Sequence, residues 1–274
     1  MLYLIATPIG NLEDITFRAV RILGEVDLIA AEDTRHTQKL LNHYEIKTPL
    51  ISFHEYSDER RIDELIHHMG NGTVALVSDA GTPLISDPGY RLVQAAINMG
   101  IDVVPIPGPS AAITALAASG LPTDRFLFLG FPPKQKKKRD QLFAEVEAER
   151  GTLIFYESPH RLVSFLKDAQ QSLGDRPVVI CRELTKRYEE FWRGPMSEGV
   201  QVFEERGVKG EVTLLISGKV IEKKEWSDQD LLNALAESIG AGKSLKGAVA
   251  EITGISGRRK RDVYQLALSI QNRL

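Results

Sequence analysis

Short apolar segments alternate with amphipathic segments along most of the chain, and this alternation restricts the fold more than any other feature of the sequence. Leu2–Ala6, Asp27–Ala31 and Thr73–Ser78 have the composition of buried strands. Between such segments, as in residues 15–26 and 58–69, apolar residues recur every three or four positions, which is typical of a helix packed on one face. The alternation predicts an α/β fold with a mostly parallel sheet covered by helices.

The pattern stops near Gly120 and then starts again, so we predict two α/β domains at residues 1–118 and 119–220. After them, short helical segments separated by glycine predict a small module at residues 225–274 that resembles a helix-turn-helix. Such a module presents a helix N-terminus to a polyanion, or it packs on the rest of the chain or on a second subunit. The sequence leaves both roles open. The further predicted strands are Pro49–Phe53, Ile101–Ile106, Arg125–Gly130, Thr152–Tyr156, Pro177–Arg182 and Val212–Ser217.

The composition is that of a folded protein. Apolar residues make up 43% of the 274 residues and the net charge is only −3, which argues against a disordered chain. The single cysteine, Cys181, has no partner for an internal disulfide. No apolar run approaches the roughly 20 residues of a membrane helix, and the N-terminus lacks the basic start of a signal peptide. We therefore expect a cytoplasmic protein.

Positive charge is concentrated in two places. Residues 1–218 carry 24 Lys and Arg against 30 Asp and Glu, whereas residues 219–274 carry 10 against 7. Lys134–Arg139 holds five basic residues in six positions, and Arg258–Arg261 holds four in succession. Such segments can bind phosphate. They can equally be solvent-exposed surface, with Lys134–Arg139 as a loop and Arg258–Arg261 as one face of a helix, and the sequence does not decide between the two roles.

Unusual residues follow the predicted strands, where open parallel sheets bind ligands. Ser78–Gly89 places two Asp among several Gly and Pro residues, and it is longer than an ordinary connection of about 2–6 residues. The glycine motifs of dinucleotide and nucleotide triphosphate sites are absent, and so is any metal-ligand spacing. Ser110 lies on a strand-to-helix turn, so a hydrolase triad with His160 and Asp79 is a further alternative.

Five segments, in this order along the chain, carry a specific resemblance: Leu4–Ile15, Ala31–Arg35, Ser78–Gly89, Pro105–Ala111 and Tyr156–Arg161. They resemble the ribosomal RNA small subunit methyltransferase I family, within the tetrapyrrole methylase superfamily. The resemblance implies two α/β domains with S-adenosylmethionine folded in the cleft between them. It also implies a homodimer that needs no metal and that 2′-O-methylates a cytidine in the decoding region of 16S rRNA, within the small ribosomal subunit.

The resemblance also implies cofactor contacts, and residue charge suggests the others. The residues expected to contact the cofactor are Pro8, Gly10, Asp79, Thr82, Ser110, Ala111, Tyr156, Glu157, Leu184 and Glu211. The catalytic candidates are Lys186, Glu183 and Arg35, because a carboxylate or a neutral lysine can accept the proton of a 2′-hydroxyl and an arginine can hold RNA phosphate. The residues expected to contact RNA are Arg193, Lys136, Lys137, Lys138, Arg258, Arg259, Lys260 and Arg261.

Two other functions stay open at this point. A methylase that acts on a small, tetrapyrrole-type molecule would share these motifs, although such a ligand has no use for the basic segments. A non-catalytic RNA-binding factor of ribosome assembly would keep a nucleoside site without methyl transfer. Loss of both cofactor binding and methylation in an Asp79→Ala variant would argue against the second of these.

Overall fold

The computed structural model describes residues 1–220 and 226–271, so the first residue of the predicted module and residues 272–274 lie outside the described residues. The chain divides into two compact units, Met1–Lys219 and Val220–Leu274. The first unit contains two five-stranded sheets with helices, and the second contains helices. The predicted α/β fold class is confirmed.

The first sheet is entirely parallel, as predicted, with the strand order β3-β2-β4-β1-β5. Its strands β2 and β4 are buried along their whole length, because helices cover both faces of the sheet. Its elements are β1 (Leu2–Ile5), α1 (Phe17–Glu25), β2 (Leu28–Ala31), α2 (Thr34–His43), β3 (Leu50–Ser52), α3 (Glu59–Asn71), β4 (Val74–Val77), α4 (Tyr90–Asn98), β5 (Val103–Ile106) and α5 (Ala111–Ser119).

The second sheet is mixed, with the order β6-β7-β10-β8-β9, and here the expectation of mostly parallel pairing is wrong. Only β6 and β7 pair in parallel; the other three pairs are antiparallel. Apolar composition alone does not encode strand direction, which the connections decide. The elements are β6 (Phe126–Phe128), α6 (Lys136–Val146), β7 (Thr152–Glu157), α7 (Leu162–Leu173), β8 (Pro177–Arg182), β9 (Glu190–Pro195), α8 (Met196–Arg206) and β10 (Val212–Ile216).

This mixed pairing brings three strand ends together at one edge. Because β7 and β8 both run antiparallel to β10, Val212 at the start of β10 lies opposite Glu157 and Arg182 at the ends of β7 and β8. The residues that end β7 and β8 and those that begin β10 therefore share one end of the sheet.

Helix α5 connects the two sheets. It follows β5 of the first sheet but packs on β7 and β10 of the second. Ala112, Ala115 and Leu116 on this helix form one apolar cluster with Ile9 of the first sheet's loops and with Leu215 of β10. The predicted boundary near residue 118 thus falls inside a single compact unit, at the end of α5, and the division into residues 1–118 and 119–220 stays a prediction.

The expectation of a basic loop at Lys134–Arg139 is wrong, because α6 begins at Lys136. Arg139 is buried and pairs with Asp168, and Lys136 also reaches Asp168 at 2.8 Å. Five charged residues precede Leu142, the first large apolar residue of this helix, which is why the segment resembles a solvated loop. Lys137 and Lys138 are exposed.

Arg193 of β9 holds the last turn of α5. Its guanidinium donates to the carbonyl oxygens of Ala118 at 2.5 Å and Ser119 at 3.0 Å, and it lies over the ring of Phe191. Two of its nitrogen atoms are thus occupied by orphan carbonyls of a helix end. This geometry favours a structural role for Arg193, and its contact with RNA phosphate stays a prediction.

The described residues of the second unit, 220 and 226–271, form three helices around a small apolar core. Its helices are α9 (Asp228–Gly240), α10 (Leu245–Ser256) and α11 (Lys260–Gln271). Leu231, Val249 and Val263 are fully or almost fully buried there. Arg258 donates to the carbonyl of Trp226 and to Asp228, so it stabilises the start of α9. The basic residues Arg259, Lys260 and Arg261 are exposed. In the part of the chain that the structure describes, no helix has the length and apolar character needed to cross a membrane.

We expect Arg193→Ala to lower the free energy of unfolding by about 1 kcal/mol, since two hydrogen bonds from a charged group are removed. The melting temperature should fall by about 2–4 °C, measured by differential scanning calorimetry. Arg187→Ala is the control, because Arg187 is exposed and its guanidinium contacts only the ring of Tyr188 within the described residues. Equal melting temperatures for the two variants would contradict the structural role.

Candidate functional site

A cavity of about 370 Å³ lies where the loops after β4 and β5 meet the ends of β7 and β10. Loop residues from 80 to 87 form one wall, and the start of α5 forms another. The second sheet contributes residues 156–159 and 210–213, which its mixed topology brings to the same edge. The position agrees with the rule that ligands bind beyond the strand ends of α/β sheets.

The Ser78–Gly89 loop has an unusual backbone. Leu84 and Ser86 have φ angles of 72° and 67°, in the left-handed region that side chains with a Cβ rarely adopt. Gly81 is also left-handed, and it exchanges two backbone hydrogen bonds with Thr7, at 2.9 and 3.0 Å. Backbone strain of this kind concentrates at ligand sites, where the surrounding structure holds it in place.

Asp87 is the acidic group of this loop that faces the cavity. Burial raises its pKa, and the nearby charge of Asp79 adds to the effect. Burial also raises the pKa of Glu32, at the end of β2, and the charges of Asp87 and Asp79 raise it further. A half-buried negative charge is therefore held at this wall, and no side-chain cation among the described residues forms an ion pair with it.

The start of α5 and two aromatic rings form the opposite side. Ser110 and Ala111 line the cavity at the helix N-terminus, which favours an anionic group. The hydroxyl of Tyr156 accepts from the backbone N–H of Ala112 at 3.3 Å, and burial raises its pKa. Phe131 packs edge-on against Tyr156 and is 62% exposed, so its ring is available at the mouth of the cavity.

Glu157 lines the cavity, but its carboxylate is already used by the protein. It is almost fully buried, pairs with Arg161 at 2.6 Å and accepts from the backbone N–H of Ser158 at 2.7 Å. These contacts fix the short turn Pro159–Arg161 that follows β7. Glu157 therefore shapes the wall more than it offers a free ligand group.

A second cavity, of about 340 Å³, adjoins the first and shares Ile9, Ala80 and Glu211 with it. It lies between the loop after β1, the first turns of α2 and Lys186 of the loop after β8. Among the described residues, Glu211 is the one ionisable group in the lining of both cavities. The arrangement is suited to two ligands that meet at Glu211.

The loop that carries Lys186 is pressed against the loop after β1. A Cβ atom on Gly10 would lie 2.5 Å from Cγ of Lys186 and 2.9 Å from the carbonyl oxygen of Leu184, so only glycine allows this approach. Glu183 and Thr185 both have positive φ angles, of 52° and 65°. Within the described residues, the buried hydroxyl of Thr185 has no hydrogen-bond partner. The contact holds Lys186 at the second cavity despite this strain.

Lys186 is protonated at neutral pH. Partial burial lowers its pKa, but ion pairs with Glu183 at 3.0 Å and Glu211 at 3.1 Å outweigh this and hold the pKa above its ordinary value. The expected neutral lysine that accepts a proton does not fit this environment. The carboxylate of Glu183 accepts from the backbone N–H of Glu211, which lowers the pKa of Glu183, and it lines neither cavity.

The predicted cofactor contacts divide between the two cavities, apart from Leu184; the catalytic candidate Arg35 lies in neither. Leu184 lies in the apolar cluster beneath α5. Arg35 is 88% exposed, pairs with Asp33 and lines neither cavity, so it lies away from the junction. The predicted residues in the first cavity are Thr82, Ser110, Ala111, Tyr156, Glu157 and Glu211. Those in the second are Pro8, Gly10, Asp79 and again Glu211.

Several lining residues were not predicted from the sequence. Asp87 is the second acidic residue of the Ser78–Gly89 loop, and the unusual length of that loop could have indicated it as a site residue. Phe131 follows β6, and no sequence feature apart from its aromatic side chain marks it as a site residue. His36 and Lys39 lie on α2, a helix that the sequence analysis does not contain, and they line the second cavity.

Comparisons with known proteins identify the family. A model described as Tetrapyrrole (Corrin/Porphyrin) Methylases matches residues 1–199. Ribosomal RNA small subunit methyltransferase I of Halalkalibacterium halodurans is 52% identical over 273 residues, covering 97% of this chain and 93% of that protein. The protein of the same name from Thermotoga maritima is 50% identical over 219 residues, covering 80% of this chain and 98% of its own. A crystal structure of diphthine synthase has the same fold, with a TM-score of 0.61, 13% identity and coverage of 79% of this chain and 89% of that one.

The chain therefore belongs to the tetrapyrrole methylase family and, within it, to the ribosomal RNA small subunit methyltransferase I family. The family predicted from the five sequence segments is confirmed. The enzyme class that follows from this membership is a methyltransferase that uses S-adenosylmethionine.

The first cavity fits this cofactor. Its volume lies in the range of about 300–1,000 Å³ found for small-molecule sites. The N-terminus of α5 suits a carboxylate, the charge of Asp87 suits an ammonium group or a pair of hydroxyls, and Ile85 and Phe131 offer apolar surface for an aromatic base. Among residues 1–220 and 226–271, no group of three or more His, Cys, Asp or Glu side chains could hold a metal ion.

We expect Asp87→Asn to bind S-adenosylmethionine roughly 10–100-fold more weakly, since a hydrogen bond to a charged group is removed. It should also melt at a higher temperature at neutral pH, because the raised pKa means that the ionised form opposes folding. This gain should disappear as the pH falls below the ordinary carboxyl range, where the wild-type group is also neutral. Calorimetric titration and thermal melts over pH measure both effects.

Glu32→Gln is the matched control. The same acidic cluster raises its pKa, so this variant should also melt at a higher temperature. It lines neither cavity, so its affinity for the cofactor should equal that of the wild type. Suppose that Glu32→Gln loses as much affinity as Asp87→Asn. The acidic residues would then affect the cofactor through the conformation of the Ser78–Gly89 loop, and direct contact with Asp87 would be excluded.

Proposed function

We propose that the protein transfers a methyl group from S-adenosylmethionine to the 2′-hydroxyl of a cytidine in the decoding region of 16S rRNA, within the small ribosomal subunit. The observation that carries the proposal is the pair of adjoining cavities that meet at Glu211. One cavity fits the cofactor, and the other has basic side chains in its lining. The names of the relatives that are about half identical in sequence support the same substrate.

When bound, S-adenosylmethionine supplies a methyl group that its sulfonium activates toward a nucleophile. The chain must then align the hydroxyl and take its proton. Alignment of the reacting groups supplies up to about 7–11 kcal/mol of the barrier. Glu211 borders both cavities, so we assign it as the proton acceptor. A carboxylate is basic enough, because the hydroxyl proton becomes strongly acidic as the oxygen gains its new bond to carbon.

Lys186 has a supporting role in this proposal. Its ammonium lies 3.1 Å from the carboxylate of Glu211, so the ion pair fixes the position of that carboxylate. Glu183 holds Lys186 from the other side at 3.0 Å. The three side chains form a short ionic chain that ends at the junction of the two cavities.

The rest of the RNA needs positive surface outside the cavities. Lys137 and Lys138 on the first turn of α6, and Arg259, Lys260 and Arg261 in the second unit, are exposed and suit phosphate. The family model matches residues 1–199, which lie within the first unit, so we assign the methyl transfer to that unit. We also propose a homodimer, because Ile97, Met99 and Ile113 are exposed apolar residues that could form a subunit contact. The enzyme would act in the cytoplasm, where its ribosomal substrate is found.

Labelled S-adenosylmethionine should transfer its methyl group to small ribosomal subunits isolated from a strain without the gene, and the new 2′-O-methyl mark should map to a decoding-region cytidine. Subunits from a strain with the gene should accept little label. Transfer to a tetrapyrrole precursor instead of RNA would establish the small-molecule function. RNA binding without cofactor binding would establish a non-catalytic assembly factor.

We expect Glu211→Gln to lower kcat by about 10²–10⁴-fold, the range for loss of a general base, with an unchanged dissociation constant for S-adenosylmethionine. Lys186→Met should lower kcat by about 10-fold, because the ion pair that fixes the position of the Glu211 carboxylate is lost. Single-turnover kinetics and calorimetric titration of the cofactor measure these changes.

Glu204→Gln is the control, because Glu204 is an exposed carboxylate that pairs with Lys167 and lines neither cavity. It should behave as the wild type. If Glu211→Gln instead weakens cofactor binding and keeps kcat, Glu211 is a cofactor contact and the proton goes elsewhere.

A further inference from the structure

The second cavity is lined by hydrogen-bond donors that the proposed methyl transfer does not use. His36 and Lys39 of α2 line it, together with Lys186, Asp79 and Glu211. The ammonium of Lys186 forms two ion pairs, so its charge is committed to carboxylates of the protein.

Lys39 and His36 have no side-chain partner in the part of the chain that the structure describes. No carboxylate pairs with Lys39, and no hydrogen bond joins the imidazole of His36 to another residue there. Both are exposed, and they stand three positions apart on α2, which places them on one face of the helix.

We infer that the second cavity holds one nucleotide of the RNA strand, with its phosphate against His36 and Lys39 and its ribose toward Glu211. The inference rests on the proposed function and adds the part of the substrate that this cavity recognises. Its volume of about 340 Å³ suits a ligand of one nucleotide, and the exposed side chains of His36 and Lys39 can reach a phosphate of the strand backbone.

A cavity that holds one nucleotide has a consequence for the substrate. The target cannot remain stacked in a helix while its ribose lies beside Glu211, so it must be unpaired or turned out of the stack. Pro8 and Leu12 give the cavity apolar surface on the side of the loop after β1, which suits the face of a base. Phosphate binding then fixes the register of the strand, and the cavity selects the reacting sugar.

The test is the double variant His36→Gln/Lys39→Gln with a short fluorescein-labelled single-stranded RNA that contains one central cytidine. Fluorescence anisotropy should show roughly 5–30-fold weaker binding near 0.1 M salt, and the slope of log affinity against log salt should fall by about 0.7 for each phosphate that the variant no longer binds. KM for small ribosomal subunits should rise in the same proportion. The dissociation constant for S-adenosylmethionine should not change, because neither residue lines the first cavity.

Lys47→Gln is the matched control: Lys47 is an exposed lysine just beyond the end of α2 that lines neither cavity. It should keep the affinity and the salt slope of the wild type. The assignment is wrong if the double variant behaves as Lys47→Gln does. If no RNA accepts a methyl group, the proposed function fails, whereas the anisotropy titration still decides whether His36 and Lys39 bind phosphate.

Discussion

The packing of α5 across the two sheets is the contact on which the rest of the first unit depends. The helix begins at the first cavity, packs its small and apolar residues on the second sheet, and ends where Arg193 binds its last carbonyl oxygens. Ala112, Ala115 and Leu116 allow a close approach, because their side chains are short or fit between neighbouring strands. Ile9 belongs to the same buried cluster and lines both cavities, so the core and the site share atoms. A shift of α5 would therefore change the distance between the cavity walls.

Charge is divided across the site in a way that matches the two ligands. Asp87 holds negative charge at one wall of the first cavity, with Glu32 near it outside the lining, and burial raises the pKa of both carboxyl groups. The opposite loop supplies Lys186, and α2 supplies His36 and Lys39. Under the proposed function, a cationic cofactor would lie next to Asp87 and a phosphate of the RNA next to Lys39, while Asp79 and Glu211 also line the second cavity. The small net charge of the chain conceals this arrangement, because the two signs cancel in the total.

The sequence predicts the strands of both sheets well, apart from β9, because apolar runs bounded by Gly and Pro are a strong signal. It also predicts the family, since five segments match in order. It misses α2, α4, α6 and α8, whose first turns are polar or whose apolar stripes are short. Glu190–Pro195 mixes charged and aromatic residues, so its sequence does not predict a strand, although it forms β9. The direction of β10 depends on pairing with strands that are distant in the sequence, so the local sequence does not predict it. The ion pair between Glu211 and Lys186 depends on the same pairing and is equally absent from local patterns.

The two antiparallel strands at the ligand edge also affect how such an enzyme can change during evolution. In the first sheet, each loop at that edge leads into a helix that must pack on the core, so a change in loop length moves a helix. In the second sheet, β9 and β10 begin at the edge, after the connections 183–189 and 207–211. Residues can be added to or removed from these connections while both strands keep their register, provided that the contact of residues 184–186 with Gly10 and the position of Glu211 are kept. Substrate preference can therefore diverge through the second sheet while the cofactor loops of the first stay unchanged, which offers one route by which a single fold comes to serve different substrates.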